Sequence, residues 1–220
     1  MHIRHYIRSA FLYDFNLIVE EYPFYQMLTP KMQTELINTI FNDFKKTFIH
    51  FLGPCEQGFE NELIISMYTR QYMPGREVIY QSEQFKQLFF VMEGQVNMSN
   101  YEAGQFMALT KRAVFGDYAL LFNLKSNISF RTISDPNETH ESYYFIPDEI
   151  KTSFMCCKKE MFLDLCELFP QTQQALRELS LHKRDIYMHF LQTAKNMKDT
   201  IKQSGVPRGI DSRSGLFRKK

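Results

Sequence analysis

Apolar residues in the first quarter of the chain recur at helical intervals. Thr29-Pro30 marks a helix start, because threonine can cap the first turn and proline fits the position after the cap. An aromatic-rich stripe then advances by four, three, four and three residues: Ile37, Phe41, Phe44, Phe48 and Phe51. This spacing predicts one helix with one apolar face. The simpler interpretation packs that face within its own domain, and the alternative packs it against another subunit.

From about Tyr68 to Phe130 the helical period gives way to short aromatic and β-branched runs. Five of these runs are strand candidates: Glu77–Tyr80, Leu88–Met92, Gln95–Met98, Phe106–Leu109 and Ile128–Ile133. Four of the nine glycines punctuate the same region, at positions 75, 94, 104 and 116, where tight turns often need positive φ. Short strands separated by turn signals predict a small β-sandwich or barrel-like roll.

The remainder of the chain returns to helical spacing after one more strand. Pro136–Asp148 is polar and bracketed by prolines, so we expect an exposed loop there, followed by a last strand at Lys151–Cys157. A first helix, with Phe162, Leu165, Cys166 and Phe169, should stop at Pro170. Beyond it an apolar stripe again steps by three and four: Leu176, Leu179, Lys183, Ile186 and Phe190. The basic residues after Gln203 predict a disordered, solvated tail.

Composition limits the classes of protein that fit. The chain has 220 residues, 44% of them hydrophobic including 21 Phe, which is ample for a core. A formal net charge of +1 gives no global reason to expect nucleic acid. The four cysteines lack C-x-x-C spacing, so reduced, buried thiols are expected. We find no run near the ~20 apolar residues of a membrane span and no signal peptide, so direct membrane insertion is not expected.

Catalytic signatures are missing from the sequence. The six histidines show no H-E-x-x-H or other ligand spacing, and no nucleophile elbow, Walker loop or dinucleotide fingerprint occurs. His182 and His189 lie seven apart without an accompanying carboxylate or thiolate cluster. We therefore expect no enzyme activity, no metal and no cofactor.

Three segments in order resemble the cyclic nucleotide-binding domain family: YMPGREVIYQ (Tyr72–Gln81), LFFVMEGQV (Leu88–Val96) and FGDYALL (Phe115–Leu121). Lys158–Pro170 resembles the first closing helix of that family. Gln26–Phe51 is similar to the C-linker of cyclic nucleotide-gated, hyperpolarisation-activated and ether-à-go-go-type channels. The resemblance covers about residues 1–195.

The resemblance implies an α+β fold, in which a helical C-linker precedes an antiparallel, jelly-roll-like β-roll closed by two C-terminal helices. Its divisions are a C-linker-like segment at 1–55, a cyclic nucleotide-binding-like domain at 56–195 and a basic tail at 196–220. It also implies a homo-tetramer through the N-terminal helices, with the rest of the channel, including its transmembrane pore, as partner. The module would then work at the cytoplasmic face of a membrane.

The same resemblance implies a ligand pocket. Its residues here are Phe115, Gly116, Asp117, Tyr118, Ala119, Lys125, Ser126, Asn127 and Lys183. In the family, backbone N–H groups of a short helix and an arginine in the following loop hold the phosphate, and a glutamate after the glycine takes the ribose. Here Asp117 replaces the glutamate and Ser126 occupies the arginine position, with Asn127 at the neighbouring Ser/Thr position. Loss of a bidentate charged contact costs about 2–5 kcal/mol, so binding of cAMP or cGMP should be weak or absent.

Several alternatives stay open at this point. Lys183 is either a solvated lysine or a lid contact to a nucleotide or another acidic group, and Lys125 is either a solvated charge or a substitute phosphate partner. Ser142–Phe145, or the chain after Phe190, is a candidate to fill the pocket, as the homologous domain of ether-à-go-go-type channels is filled by its own residues. The preferred function is a gating module of a tetrameric cation channel, for which the resemblance implies selectivity for potassium. The alternatives are a genuine cAMP/cGMP-binding domain using Lys125 and Lys183, or a non-channel scaffold subunit.

Overall fold

The computed structural model of the chain describes residues 24–133 and 152–203. Its N-terminal part is helical, with α1 (Phe24–Met27), α2 (Pro30–Ile40), α3 (Asn42–Thr47), α4 (Ile49–Leu52) and α5 (Gln57–Ile65). The predicted start of α2 is present, because Thr29 Oγ1 accepts a hydrogen bond from the Met32 N–H and Pro30 is the first helical residue. Residues 1–23 of the C-linker-like segment lie outside the described residues.

The aromatic stripe is buried inside this chain, but it does not lie on one helix. All five stripe residues are at most 4% exposed, while the helix breaks at Phe41 and Phe48 into α2, α3 and α4. The rings of Phe44, Phe48 and Phe51 surround Phe90 of the roll at centroid distances of 5.5, 5.1 and 5.3 Å. The prediction of one continuous helix was therefore wrong, because the three short helices curve to keep their rings on Phe90.

The predicted roll is confirmed as two antiparallel sheets. The strands are β1 (Met67–Tyr72), β2 (Glu77–Ile79), β3 (Gln87–Glu93), β4 (Val96–Asn100), β5 (Gly104–Leu109), β6 (Val114–Phe115), β7 (Ser129–Thr132) and β8 (Thr152–Lys158). One sheet has the order β1-β8-β3-β6, and the other has the order β2-β7-β4-β5. All six strand candidates are found, and all four glycines of the turns have positive φ. Pro136–Asp148 and Ser142–Phe145 lie outside the described residues.

The sequence reasoning missed the two-residue strand β6 and also strand β1. Its residues, MYTRQY, are mostly polar, and only Met67 is fully buried. The strand pairs with β8 along its whole length, from Met67 opposite Cys157 to Tyr72 opposite Thr152. It is an edge strand of its sheet, so backbone pairing rather than side-chain burial holds it in place.

Stacked aromatic rings fill the space between the sheets. Phe115 lies between Phe89 and Phe130, with ring centroids 4.8 and 4.7 Å away and nearly parallel planes. Phe154 closes the side of this stack edge-on, 6.0 Å from Phe115. This stack is the base on which the helix α6 (Asp117–Leu121), inside the roll, is built.

Two helices close the roll, as predicted: α7 (Lys159–Leu168) and α8 (Pro170–Gln203). Pro170 ends one helix and begins the next. Residues 196–203 are helical and not part of a disordered tail, because no glycine or proline lies between Pro170 and Gly205 to end the helix earlier. Residues 204–220 lie outside the described residues.

The inward face of α8 is rotated from the predicted one. Leu176 is buried and Leu179 packs on the core, but Ile186 and Phe190 are 39% and 46% exposed. The face that turns inward instead carries polar residues, including the fully buried Ser180. Among the helices within residues 24–133 and 152–203, none is both long enough and apolar enough to cross a bilayer.

Candidate functional site

A cavity of about 550 Å³ lies between α6, the loop that follows it and helix α8. Its wall contains every residue predicted for the pocket: Phe115, Gly116, Asp117, Tyr118, Ala119, Lys125, Ser126, Asn127 and Lys183. The apolar part of the wall adds Phe85, Phe130, Leu124, Ile128, Tyr187 and Met188. This volume is within the range of small-molecule sites. The structure thus brings the nine residues together, while their role in binding stays a prediction.

Gly116 sets the direction in which α6 leaves the sheet. Its φ of 98° is in the left-handed region, and a Cβ on it would lie 2.9 Å from Phe85 Cδ1 and 3.1 Å from the Gln87 carbonyl oxygen. Both the backbone conformation and the close approach therefore require glycine. The turn places Asp117 and Tyr118 on the cavity wall directly after the aromatic base.

Asp117 and Lys183 form a buried ion pair across the cavity wall. Lys183 Nζ lies 2.7 Å from Asp117 Oδ2, and the two side chains are only 20% and 3% exposed. The same ammonium donates a hydrogen bond to the Val114 carbonyl oxygen at 2.9 Å. Because Asp117 Oδ2 has no partner in hydrogen-bond geometry among the described residues, the contact is an ion pair rather than a hydrogen bond. Lys183 is thus partly exposed on the cavity wall and paired with an acidic group of its own chain, while its role toward a ligand stays a prediction.

The loop position where the family has arginine is closed on itself. Ser126 is 7% exposed, and its hydroxyl donates to the Ile128 carbonyl oxygen while accepting from the Ile128 N–H. The backbone of Ser126 is also paired, with its N–H on Glu83 and its carbonyl oxygen on the Ser82 N–H. Asn127 reaches helix α8, the lid over the cavity, where its Nδ2 lies 3.4 Å from Met188 Sδ. The loop is therefore fixed without a ligand.

Lys125 is the exposed cation at this wall. Its backbone pairs with Gln84 in a single β-bridge, while its side chain makes no ion pair within residues 24–133 and 152–203. Arg131, which the sequence places deeper in the strand, pairs with Glu77 at 2.8 Å and does not line the cavity. Lys125 is thus exposed beside the cavity, whereas Arg131 of β7 is engaged elsewhere.

Arg184 is a wall residue that the sequence reasoning missed. Its Nη2 lies 2.6 Å from Asp185 Oδ1, its Nη1 lies 3.3 Å from the Tyr118 hydroxyl, and its guanidinium is 5.4 Å from the Tyr118 ring. A guanidinium therefore does face the cavity, but from the lid and not from the loop, and it is engaged by a carboxylate, a hydroxyl and a ring. These contacts raise the pKa of Arg184, the Tyr118 hydrogen bond being the largest cause.

The other missed residues lie on the same stripe of α8. Ser180, Lys183, Arg184, Tyr187 and Met188 are separated by three, one, three and one residues, which is one face of a helix. Burial, with a smaller contribution from Asp117, raises the pKa of Tyr187, so its hydroxyl stays neutral. The signal that could have found this face is its mixed composition, since a lid over a cavity need not be apolar.

A β-roll that encloses a short helix and is closed by two C-terminal helices, the second of which covers a cavity, is the architecture of a cyclic nucleotide-binding domain. The comparisons with known proteins agree with this fold. Over 162 residues the chain is 24% identical to a cyclic nucleotide-gated cation channel of Ictalurus punctatus. The aligned region covers 73% of this chain and 22% of the channel. The chain thus spans about a fifth of that relative's length. No family model matches the chain.

Two solved structures share the fold. One is described as cAMP bound PfPKA-R (141-441), with a TM-score of 0.53 and 13% identity over 72% of this chain and 48% of that chain. The other is the regulatory domain of Toxoplasma gondii PKA with cAMP, with a TM-score of 0.50 and 13% identity over 72% of this chain and 54% of that chain. This likeness shows the fold of the chain.

Proposed function

We propose that this chain is a regulatory module of a cation channel, in which a cyclic nucleotide-binding-like domain is coupled to gating while nucleotide binding is weak or absent. The module is not an enzyme and would work at the cytoplasmic face of a membrane. The sequence relative supports the association with a channel, because that relative is a cyclic nucleotide-gated cation channel. The finer parts of the proposal are a homo-tetramer and selectivity for potassium.

The observation that carries the proposal is that Lys183 and Arg184, two of the three cations that the described residues place on the cavity wall, are already engaged. A buried phosphate needs a charged, hydrogen-bonded partner, because moving its charge out of water costs several kcal/mol. Ser126 offers only a hydroxyl, which its own loop uses. Lys183 is held by Asp117 and Arg184 by Asp185. A phosphate would therefore have to break an existing ion pair or rely on the exposed Lys125.

The tetramer part of the proposal needs surfaces other than the aromatic stripe, since that stripe packs within the chain. Suitable apolar side chains remain on the outside of the N-terminal helices: Met27, Met32, Ile40 and Ile49 are all at least 38% exposed. Size-exclusion chromatography with light scattering on the full chain is the test. A monomer at all concentrations would contradict assembly through these helices.

Calorimetric titration with cAMP and cGMP tests the binding part directly. We expect no heat of binding, or saturation only far above micromolar concentrations, and micromolar affinity for either nucleotide would refute the weak-binding proposal. Ser126→Arg should strengthen binding by roughly tenfold or more, because it restores a charge-assisted contact at the family position. Leu124→Arg is the matched control, since Leu124 lines the same cavity from the same loop at another register.

A genuine nucleotide-binding domain is the second candidate, and the exposed side chain of Lys125 on the cavity wall is the observation that favours it. In that case the titration would show binding, and Lys125→Met would abolish it. If Lys125→Met leaves a measured affinity unchanged, this candidate is excluded.

A further inference from the structure

Lys183 touches three separate parts of the fold through one ammonium group. It forms the ion pair with Asp117 of α6 and the hydrogen bond to Val114 of β6, and its Nζ also lies 5.9 Å from the centroid of the Phe51 ring. A cation within about 6 Å of an aromatic ring centroid is attracted by the ring's quadrupole, and more strongly so when both groups are desolvated. Phe51 is 3% exposed, so this contact is shielded from water.

Phe51 belongs to the N-terminal helices and not to the roll. It lies in α4, and its ring also packs edge-on against Phe90 of β3 at 5.3 Å. Lys183 therefore reaches from the lid helix α8, past the cavity wall, to the segment that resembles a C-linker. Helix α8 also contacts the N-terminal segment near its own start, where the Thr172 hydroxyl accepts a hydrogen bond from the Glu56 N–H at 3.0 Å, but Thr172 does not line the cavity. The other ion pairs of α8 within the described residues are Arg184 with its neighbour Asp185, and Lys195 with Glu102 of the β4–β5 turn.

We propose that the Asp117–Lys183–Phe51 contact is the coupling element between the cavity and the N-terminal helices. Asp117 and Lys183 both line the cavity, so whatever enters it or rearranges α6 changes the position or the partner of the ammonium. The ammonium in turn contributes to holding α4 in place through Phe51. This proposal rests on the proposed gating function, for which it names the residues that transmit the signal.

Coupling of this kind is reciprocal by thermodynamic necessity. A change at Lys183 must alter the local stability of α4, and a change at Phe51 must alter the local stability of the lid around Lys183. Local stability can be measured at the backbone N–H groups of Phe51, Leu52 and Gly53, which donate to the carbonyl oxygens of Phe48, Phe48 and Ile49. Their hydrogen exchange requires α4 to open.

The experiment is hydrogen–deuterium exchange with mass spectrometry on the full chain and its variants. Lys183→Met keeps the length of the side chain and removes its charge, and we expect exchange in residues 49–53 to accelerate by about tenfold or more. Phe51→Leu should accelerate exchange in the lid around residues 180–187. No change in the distant segment in either variant would overturn the proposal.

Two matched controls separate coupling from general loosening. Lys195→Met breaks the other ion pair between α8 and the roll, but the partner of Lys195 is Glu102 of the β4–β5 turn and not a residue of the N-terminal helices, so residues 49–53 should keep their exchange rates. Phe48→Leu disturbs a second ring that packs on Phe90, whereas the Lys183 ammonium lies over Phe51, so the lid helix should keep its exchange rates. If either control reproduces the distant effect, the proposed contact is not the coupling element.

Lys183→Met leaves the buried Asp117 carboxylate without its ion-pair partner and could unfold the chain, so a further variant is needed. Asp117→Asn combined with Lys183→Met removes both charges and still removes the cation from Phe51, so it should show the same acceleration in residues 49–53. The calorimetric titration is independent of this result. Nucleotide binding with an intact exchange pattern would refute weak binding alone, whereas unchanged exchange without nucleotide binding would refute the coupling element alone.

Discussion

Replacing Gly116 by alanine should destabilise the fold at the point where the cavity is built. The left-handed backbone conformation, with φ of 98°, costs an alanine about 1–2 kcal/mol. The new Cβ would also lie 2.9 Å from a ring carbon of Phe85 and 3.1 Å from the Gln87 carbonyl oxygen. Phe85 is 4% exposed, so its ring has little room to move, and overpacking of this kind costs about 1–3 kcal/mol. The sum is about 3 kcal/mol.

Gly75 provides the matched control for this substitution. It has a φ of 72°, but nothing lies within 4 Å of a Cβ built on it, so Gly75→Ala tests the backbone term alone. In a chain of this size 1 kcal/mol shifts the melting temperature by about 2–4 °C. Thermal unfolding followed by circular dichroism should therefore show a fall of roughly 6–12 °C for Gly116→Ala and, for a backbone cost of about 1.5 kcal/mol, roughly 3–6 °C for Gly75→Ala. Equal falls would refute the argument that Gly116 is required by close packing against Phe85.

Two further outcomes follow from contacts away from the cavity. Lys45→Met should lower stability by about 2 kcal/mol in thermal unfolding. The reason is that Lys45 Nζ donates hydrogen bonds to Asn38 and Asn61 at 2.8 Å and pairs with Glu60. The control is Lys46→Met, which replaces an exposed lysine and should leave stability unchanged. Burial raises the pKa of Cys157 to about 11, so the folded chain retains a thiol proton that the unfolded chain loses above about pH 9. Stability should therefore fall as the pH rises from about 9 to 11, and Cys157→Ala should reduce that fall; an unchanged slope would contradict the assignment.

Local sequence signals were sufficient for the β-roll, for a physical reason. Its turns need positive φ, and glycine at 75, 94, 104 and 116 supplies it, so single glycines in the sequence mark where strands end. The strands between them are rich in aromatic and β-branched residues because both of their faces are largely buried, as in β3. Strand β1 carries neither signal. It exists because β8 offers it a complete backbone ladder.

The N-terminal helices show where periodicity alone fails. Nothing between Pro30 and Gly53 breaks a helix by its chemistry, so the sequence predicts continuity. The breaks at Phe41 and Phe48 come from tertiary packing, since successive rings must approach the same residue, Phe90, from different sides. A straight helix would carry its later rings past that target. Such a constraint is invisible until the roll has been placed.

The site was predicted in position but not in its charge pairing. The loop residues could be placed by register from Gly116, whereas the partner of Asp117 comes from a helix 66 residues further along the chain. The rotation of α8 was missed for the same reason. Its predicted stripe, which includes Lys183, turns inward at Leu176, but Ile186 and Phe190 at the other end of the stripe are exposed. Tyr187 and Met188 line the cavity instead. Hydrophobic periodicity identifies the side of a helix that covers a core and gives no information about a side that covers a cavity.

The character of the cavity depends on Asp117 as much as on the missing arginine. A carboxylate on the wall repels a phosphate brought beside it, and it also holds Lys183, a cation of the cavity wall whose side chain is 20% exposed. Restoring a cation at Ser126 therefore supplies one positive charge for an anion, while Lys183 stays paired with Asp117. This is why Ser126→Arg is expected to strengthen nucleotide binding without making it tight. It also explains how the fold keeps its lid in place without a ligand: the ion pair between α6 and α8 makes, within the chain, the contact between roll and lid that a bound anion would otherwise provide.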